Sequence, residues 1–225
     1  METREKRRFD WAGATIAVSA ACMVALFAYR ELSPRSPRAA RSGWTQIENW
    51  EAITANRPRI GPANARVEIV EFVDYECPAC YSYARELDSI LARYPRDVAL
   101  LVAHTPLSYH RFAQLAARSA DCAYGRNAFP QMHRLLFAKQ DSIGLKSWGS
   151  FALEAGVRDT SEFAACVRAT TPLASLARDT VLADELGLRG TPSIAINGVL
   201  HNGTPTLTQL DSIVRSVIGG VRAGQ

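Results

Sequence analysis

The chain has 225 residues, is 48% hydrophobic and carries a formal net charge of +4, a balance that excludes a disordered polyelectrolyte and leaves room for one domain with its own core. The mild basic excess is largely arginine near the N-terminus. No basic stripe with interleaved aromatics follows it, so nucleic-acid binding is not indicated.

Residues 1–10 are polar and include Arg4, Lys6, Arg7 and Arg8. The run "WAGATIAVSAACMVALFAY", 11–29, has no charge and no proline, and as a helix it spans about 28 Å, close to the hydrocarbon thickness. Trp11 and Tyr29 fall where interfacial aromatics are favoured. The segment therefore reads as a retained transmembrane signal anchor. A cleavable signal peptide is the rival, because "VSA" ends at Ala20 in a small-residue pattern. Against it, the apolar run continues through Met23, Val24, Leu26 and Phe27. A lipoprotein site at Cys22 fits less well, with Ser19 where a large aliphatic is expected. Basic residues flank both ends, Arg30, Arg35, Arg38 and Arg41 balancing the first group, so charge does not orient the segment. The stretch "ELSPRSPRAARSG" then reads as a semi-extended tether over 30–43.

The globular part begins near Trp44. "WTQIENWEAI" reads as a short amphipathic lead-in with Trp44 and Trp50 packing on the domain, and "IGPANA" turns the chain. Val67, Ile69, Val70, Phe72 and Val73 make a dense β-branched and aromatic run, as in a strand buried on both faces. From Pro78 the period changes to three and four, through Tyr81 or Tyr83, Ala84, Leu87 and Leu91, until Pro95 stops it. This is an amphipathic helix. Proline is tolerated at its first position, which places Cys77 at or beside the N-cap and Cys80 one turn later.

That placement has chemistry in it. Unpaired N–H groups and the positive end of the helix dipole favour a thiolate at Cys77. Cys80, three residues on and on the same face, can reach the Cys77 sulfur and resolve a mixed disulfide. A zinc site competes poorly: "CPAC" supplies two ligands, and His104, His110, His133 and His201 stand singly. Buried structural thiols are the other bland alternative.

"DVALLVAH", 97–104, reads as a second buried strand, and strand, helix, strand implies a parallel crossover. From about 108 to 186 the pattern is helical, in segments near 109–124, 127–139, 147–155, 160–169 and 173–186, punctuated by Gly125, Gly144, Gly156 and Pro172. "SIAING" and "VLHNG" form a hairpin about Asn197 and Gly198. "TLTQLDSIVRSVI" closes as a helix starting near Thr206 or Thr208. Within the globular region Cys122 and Cys166 join the CPAC pair, and an even set suits an oxidising compartment. The soluble domain is therefore placed outside the cytoplasm.

Taken together, "VEFVDYECPAC", the helical stretch 108–186 and "GLRGTPSIAING" resemble the DsbA-like class of thioredoxin-fold proteins, specifically its membrane-anchored bacterial oxidoreductases. The resemblance covers about 44–220. It implies a thioredoxin fold with a helical insertion, an α/β architecture following the transmembrane helix. It also implies that Pro192 is a cis-proline facing the disulfide, which brings the Thr191 backbone beside the sulfur for an extended substrate strand to pair with. Pro78 and Ala79 complete that substrate-binding edge. Glu71 stands where the family places a buried acid beneath the resolving cysteine, where it can take the Cys80 proton; a solvated glutamate, as at Glu68, is the alternative. Glu76 has no matching role and slightly opposes thiolate formation. Some anchored relatives carry a structural disulfide where Cys122 and Cys166 stand, and separate buried thiols are the alternative.

The function so implied is extracytoplasmic, membrane-anchored thiol:disulfide exchange with protein substrates, in the oxidase direction. It needs no metal or organic cofactor. A membrane redox partner, quinone-linked by resemblance, would reoxidise the pair. A reductase or isomerase would use the same residues, and Ala79 does not discriminate. A non-enzymatic copper-binding or chaperone module is the rival of another class; copper favours a further His or Met ligand near the thiols, and none is assignable.

Overall fold

The computed structural model describes residues 44–201 and 203–220; the anchor expected over 11–29 and the tether over 30–43 lie outside the described residues. Among those described, no helix is long and apolar enough to cross a membrane. The centre of the fold is a six-stranded sheet in the order β1-β6-β5-β3-β4-β2. Its strands are β1 (Trp44–Gln46), β2 (Arg59–Ile60), β3 (Val67–Val73), β4 (Val98–His104), β5 (Ser193–Ile196) and β6 (Val199–His201). β3 and β4 run parallel, Val67 facing Val98 and Val73 facing His104. They are joined by helix α2 (Pro78–Arg93). β5 lies antiparallel on the other side of β3, with Glu71 opposite Ile194.

Because strand side chains alternate, the sheet sorts its residues into two layers. Val67, Ile69 and Val73 join the core beneath α2 and the closing helix α8 (Leu207–Ile218), whose Leu210 and Val214 are wholly buried. Val70 and Phe72 face the second core with Leu101, Ala195 and Ile53, the last on helix α1 (Trp50–Thr54). Each large apolar side chain so enclosed contributes roughly 1.5–3 kcal/mol. This two-sided burial explains why β3 reads as a continuous apolar run and has a single interior charge, Glu71.

Between β4 and β5 the chain builds helices α3 (Ala113–Tyr124), α4 (Phe129–Ala138), α5 (Trp148–Glu154), α6 (Thr160–Arg168) and α7 (Ala174–Glu185), with a 3-10 turn at Gln140–Ser142. The first of these starts later than the apolar pattern indicates, because residues 105–112 form an irregular loop anchored on Asp74 and Glu76. That loop is closed from outside at Gly144, whose φ is +81° and where the Phe112 ring occupies the space a Cβ would need.

The hairpin turns through Asn197 and Gly198, both at positive φ, the backbone that an Asn-Gly pair supplies. Thr206 is the N-cap of α8 in a capping box with Gln209. The lead-in departs from its expected form at Trp44, which begins a strand paired with β6 and whose side chain, expected to pack on the domain, remains 49% exposed against His201. Trp50 does pack on the second core.

Candidate functional site

Cys77 is the N-cap of α2, in extended conformation, with Pro78 at the first helical position. Its N–H donates to the Asp74 carbonyl at 3.1 Å and its own carbonyl accepts the Tyr81 N–H at 3.1 Å. The sulfur makes no capping bond; instead the thiol donates to the Thr191 carbonyl at 3.3 Å. The Thr191–Pro192 bond is cis. Thus the loop before β5 and the start of α2 meet at one sulfur. Both Cys77 and Cys80 are free thiols. Cys77 keeps 8% of its surface and Cys80 none, so only the first is open to an incoming sulfur. Pro78 and Ala79 are exposed between them, and Thr191 and Pro192 are half-buried across the cleft.

Cys80 lies in the core beneath α2. Burial first, then the charge of Glu71, pushes its thiol far above the ordinary cysteine range. Glu71 is fully buried, and neither carboxylate oxygen has a hydrogen-bond partner. Desolvation, with a smaller contribution from Asp88, raises its carboxyl to about 8. A glutamate held there is mostly protonated at neutral pH and sits on the side of β3 that faces the dithiol. The solvated alternative for Glu71 does not hold. Glu68 is half-buried and paired, accepting from Arg59 at 2.6 Å and from the Trp50 indole at 3.3 Å.

Several residues that organise the site were not singled out from sequence. Buried Asp74 accepts the Glu76 N–H at 2.8 Å and the Leu107 N–H at 2.7 Å, and bonds His110 Nδ1 at 2.8 Å. One carboxylate thereby ties the reactive turn to the 105–112 loop. Its position three residues before an N-cap is a readable signal. Glu76 has a structural task, accepting the Phe112 N–H at 2.5 Å. Gln140, from the insertion, donates to the Tyr75 and Cys77 carbonyls at 2.8 and 3.1 Å. The Tyr75 hydroxyl meets His133 Nδ1 at 3.0 Å, and burial lowers that imidazole to about 3, so it is neutral. In the insertion, Cys122 of α3 and Cys166 of α6 are joined in a disulfide with Cα atoms 6.1 Å apart. Among the described residues, no group of three or more His, Cys, Asp or Glu is placed to hold a metal ion.

A thioredoxin family model matches residues 54–216. A thioredoxin-like oxidoreductase from Silicibacter pomeroyi DSS-3 superimposes with a TM-score of 0.62 at 26% identity, covering 73% of this chain and 94% of that one. A periplasmic thioredoxin-like protein from Salmonella enterica serovar Typhimurium gives 0.60 at 27%, covering 78% and 99%. BdbD from Bacillus subtilis gives 0.65 at 21%, covering 73% and 94%, a likeness of fold. Among curated proteins, a Na(+)/H(+) antiporter NhaA of Salinispora tropica is 31% identical over 163 residues, 72% of this chain. The chain spans about a quarter of the length of the curated relatives it matches, 25% for that one. The chain belongs to the thioredoxin family, and its fold is that of the DsbA-like thiol:disulfide oxidoreductases.

Proposed function

We propose that the protein is a thiol:disulfide oxidoreductase that introduces disulfides into extracytoplasmic protein substrates through Cys77 and Cys80. The observation that carries this reading is the pairing of an accessible N-cap thiol, bonded at 3.3 Å to the Thr191 carbonyl, with a wholly buried second thiol one turn below. In the oxidised protein a substrate thiolate attacks Cys77; the Cys77–Cys80 bond breaks, and its electron pair leaves on Cys80. Neutral Glu71 supplies the proton that Cys80 needs. A second substrate thiolate then displaces Cys77, and the substrate departs with its disulfide. Pro78, Ala79, Thr191 and Pro192 form the edge on which the substrate strand lies.

A membrane partner reoxidises the dithiol, and residues 11–29 hold the domain at the bilayer. The periplasmic relative supports the extracytoplasmic placement. Antiport is not carried over from the curated relatives, of which the chain covers so small a part. A reductase or isomerase is the competing direction. Equilibration of the full chain with glutathione decides it. An oxidase has a potential towards the DsbA value of about −120 mV, whereas a value near thioredoxin's about −270 mV would overturn the assigned direction.

A further inference from the structure

Cys80, Tyr83 and Glu86 follow one another at intervals of three along α2. At 3.6 residues per turn, each interval rotates the side chain about 60° round the helix axis, so this row winds from the sheet towards the rim. Burial follows the rotation: Cys80 is wholly buried, Tyr83 is 5% exposed and Glu86 is half-buried. Every member can carry a proton. Above the inner end lies Glu71, on the face of β3 that α2 covers.

The polar atoms of this row share a second property. Both oxygens of Glu71, the Tyr83 hydroxyl and one oxygen of Glu86 are buried with no hydrogen-bond partner in the protein. A buried polar atom left unpaired costs roughly 1–3 kcal/mol, and internal water is the usual remedy. Four such atoms lie along this row, each lacking a partner that internal water can supply. The charges of Glu71 and Glu86 both act on the Tyr83 phenol, which burial above all pushes upward. Asp88 also acts on Glu71, and the Glu71 charge acts on Tyr75 of the β3–α2 turn.

We propose that Tyr83 and Glu86, with water between them, carry protons between solvent and Glu71, and so recharge the acid that protonates Cys80. This rests on the oxidoreductase reading above. When the Cys77–Cys80 bond is broken, the Glu71 carboxyl gives its proton to the Cys80 sulfur and is left as carboxylate. A water bonded to Tyr83 then gives a proton to Glu71, the phenol hydroxyl passes one on without ionising, and Glu86 takes the replacement from solvent. No electrons move in this second part. The half-exposed Glu86 is the outer terminus, and Cys80 stays closed to solvent.

The test is quenched-flow reduction of the oxidised full chain by a peptide thiol at pH 8.5, where most molecules start with Glu71 as carboxylate and it must be recharged before Cys80 is protonated, with freed Cys80 counted by alkylation, at low and high imidazole concentration. At low imidazole, Tyr83→Phe and Glu86→Gln should each slow release of Cys80 by roughly tenfold, less than the roughly hundredfold or more of a directly positioned acid or base, because water can still leak protons to Glu71. The double variant should be no slower than the slower single one, since either change interrupts the same route. Imidazole, a small diffusible acid, should restore the rate; a packing defect would not respond to it. Glu86→Gln lies at the rim and decides the matter if Tyr83→Phe fails to fold. Parent rates and no imidazole response in Glu86→Gln would overturn the route. If Glu71→Gln is slow while the other two are not, the acid stands and only the route falls; if Glu71→Gln is as fast as the parent, the acid assignment falls with it.

Discussion

The protein holds two cysteine pairs in opposite physical situations. Cys77 and Cys80 lie three residues apart at the start of one helix, the first keeping 8% of its surface and the second none. Cys122 and Cys166 are separated by 44 residues and join two helices of the insertion. In the first pair the loop closed by a bond is so short that bonding constrains the unfolded chain little, and burial beside Glu71 holds the Cys80 thiol protonated. In the second the closed loop is long, so the bond has leverage on the unfolded state. A cysteine pair close in sequence at a helix start is thus suited to exchange, and one far apart in sequence to stabilisation.

The sharpest way to break this comparison is to exchange the expected roles. Cys77→Ser should abolish disulfide exchange and trap no substrate. Cys80→Ser should instead accumulate mixed disulfides through Cys77, read by non-reducing electrophoresis of cells expressing each variant. Trapping chiefly through Cys80 would reverse the assignment. Next in size, Cys122→Ala with Cys166→Ala should lower stability by up to about 4 kcal/mol, the chain-entropy figure for such a loop. The melting temperature should fall while exchange continues at the parent rate. A loss of exchange in the folded double variant would contradict the division of labour.

The third effect is smaller per step and depends on pH. The Glu71 carboxyl rises from its ordinary 4.5 to about 8 on folding. Below pH 4.5 it is protonated whether the chain is folded or not, and its contribution is fully present. Between 4.5 and 8 only the unfolded chain releases the proton, so stability falls as pH rises, at most about 1.4 kcal/mol per unit, and levels off above 8. Denaturant titrations of the parent should show this descent, and Glu71→Gln should flatten it over that window. A parent curve without the descent would mean that the acid is not held neutral beside the reactive pair.

What could be read from sequence divides along the range of the interactions involved. β3 and α2 announce themselves through local periodicity and Pro78, and the Asn197–Gly198 turn through its required backbone. β1 and β2 span three and two residues, too few to carry a period; they are strands only because β6 and β4 lie beside them. The sequence favours a buried Glu71 only through the family resemblance, because periodicity does not show that α2 covers its face of β3. Gln140 could not have been found at all, since it reaches the Cys77 carbonyl across 63 residues of chain. Asp74 was within reach, being so close to the thiols, but its second and third partners come from a loop whose path depends on the tertiary fold.

The insertion disulfide has a consequence for how each molecule is completed. Joining Cys122 to Cys166 withdraws two electrons and two protons from the chain. A newly made copy therefore begins as a dithiol in the insertion as well as at Cys77 and Cys80. Completion of this fold is itself an oxidation, and it requires an electron acceptor able to reach α3 and α6.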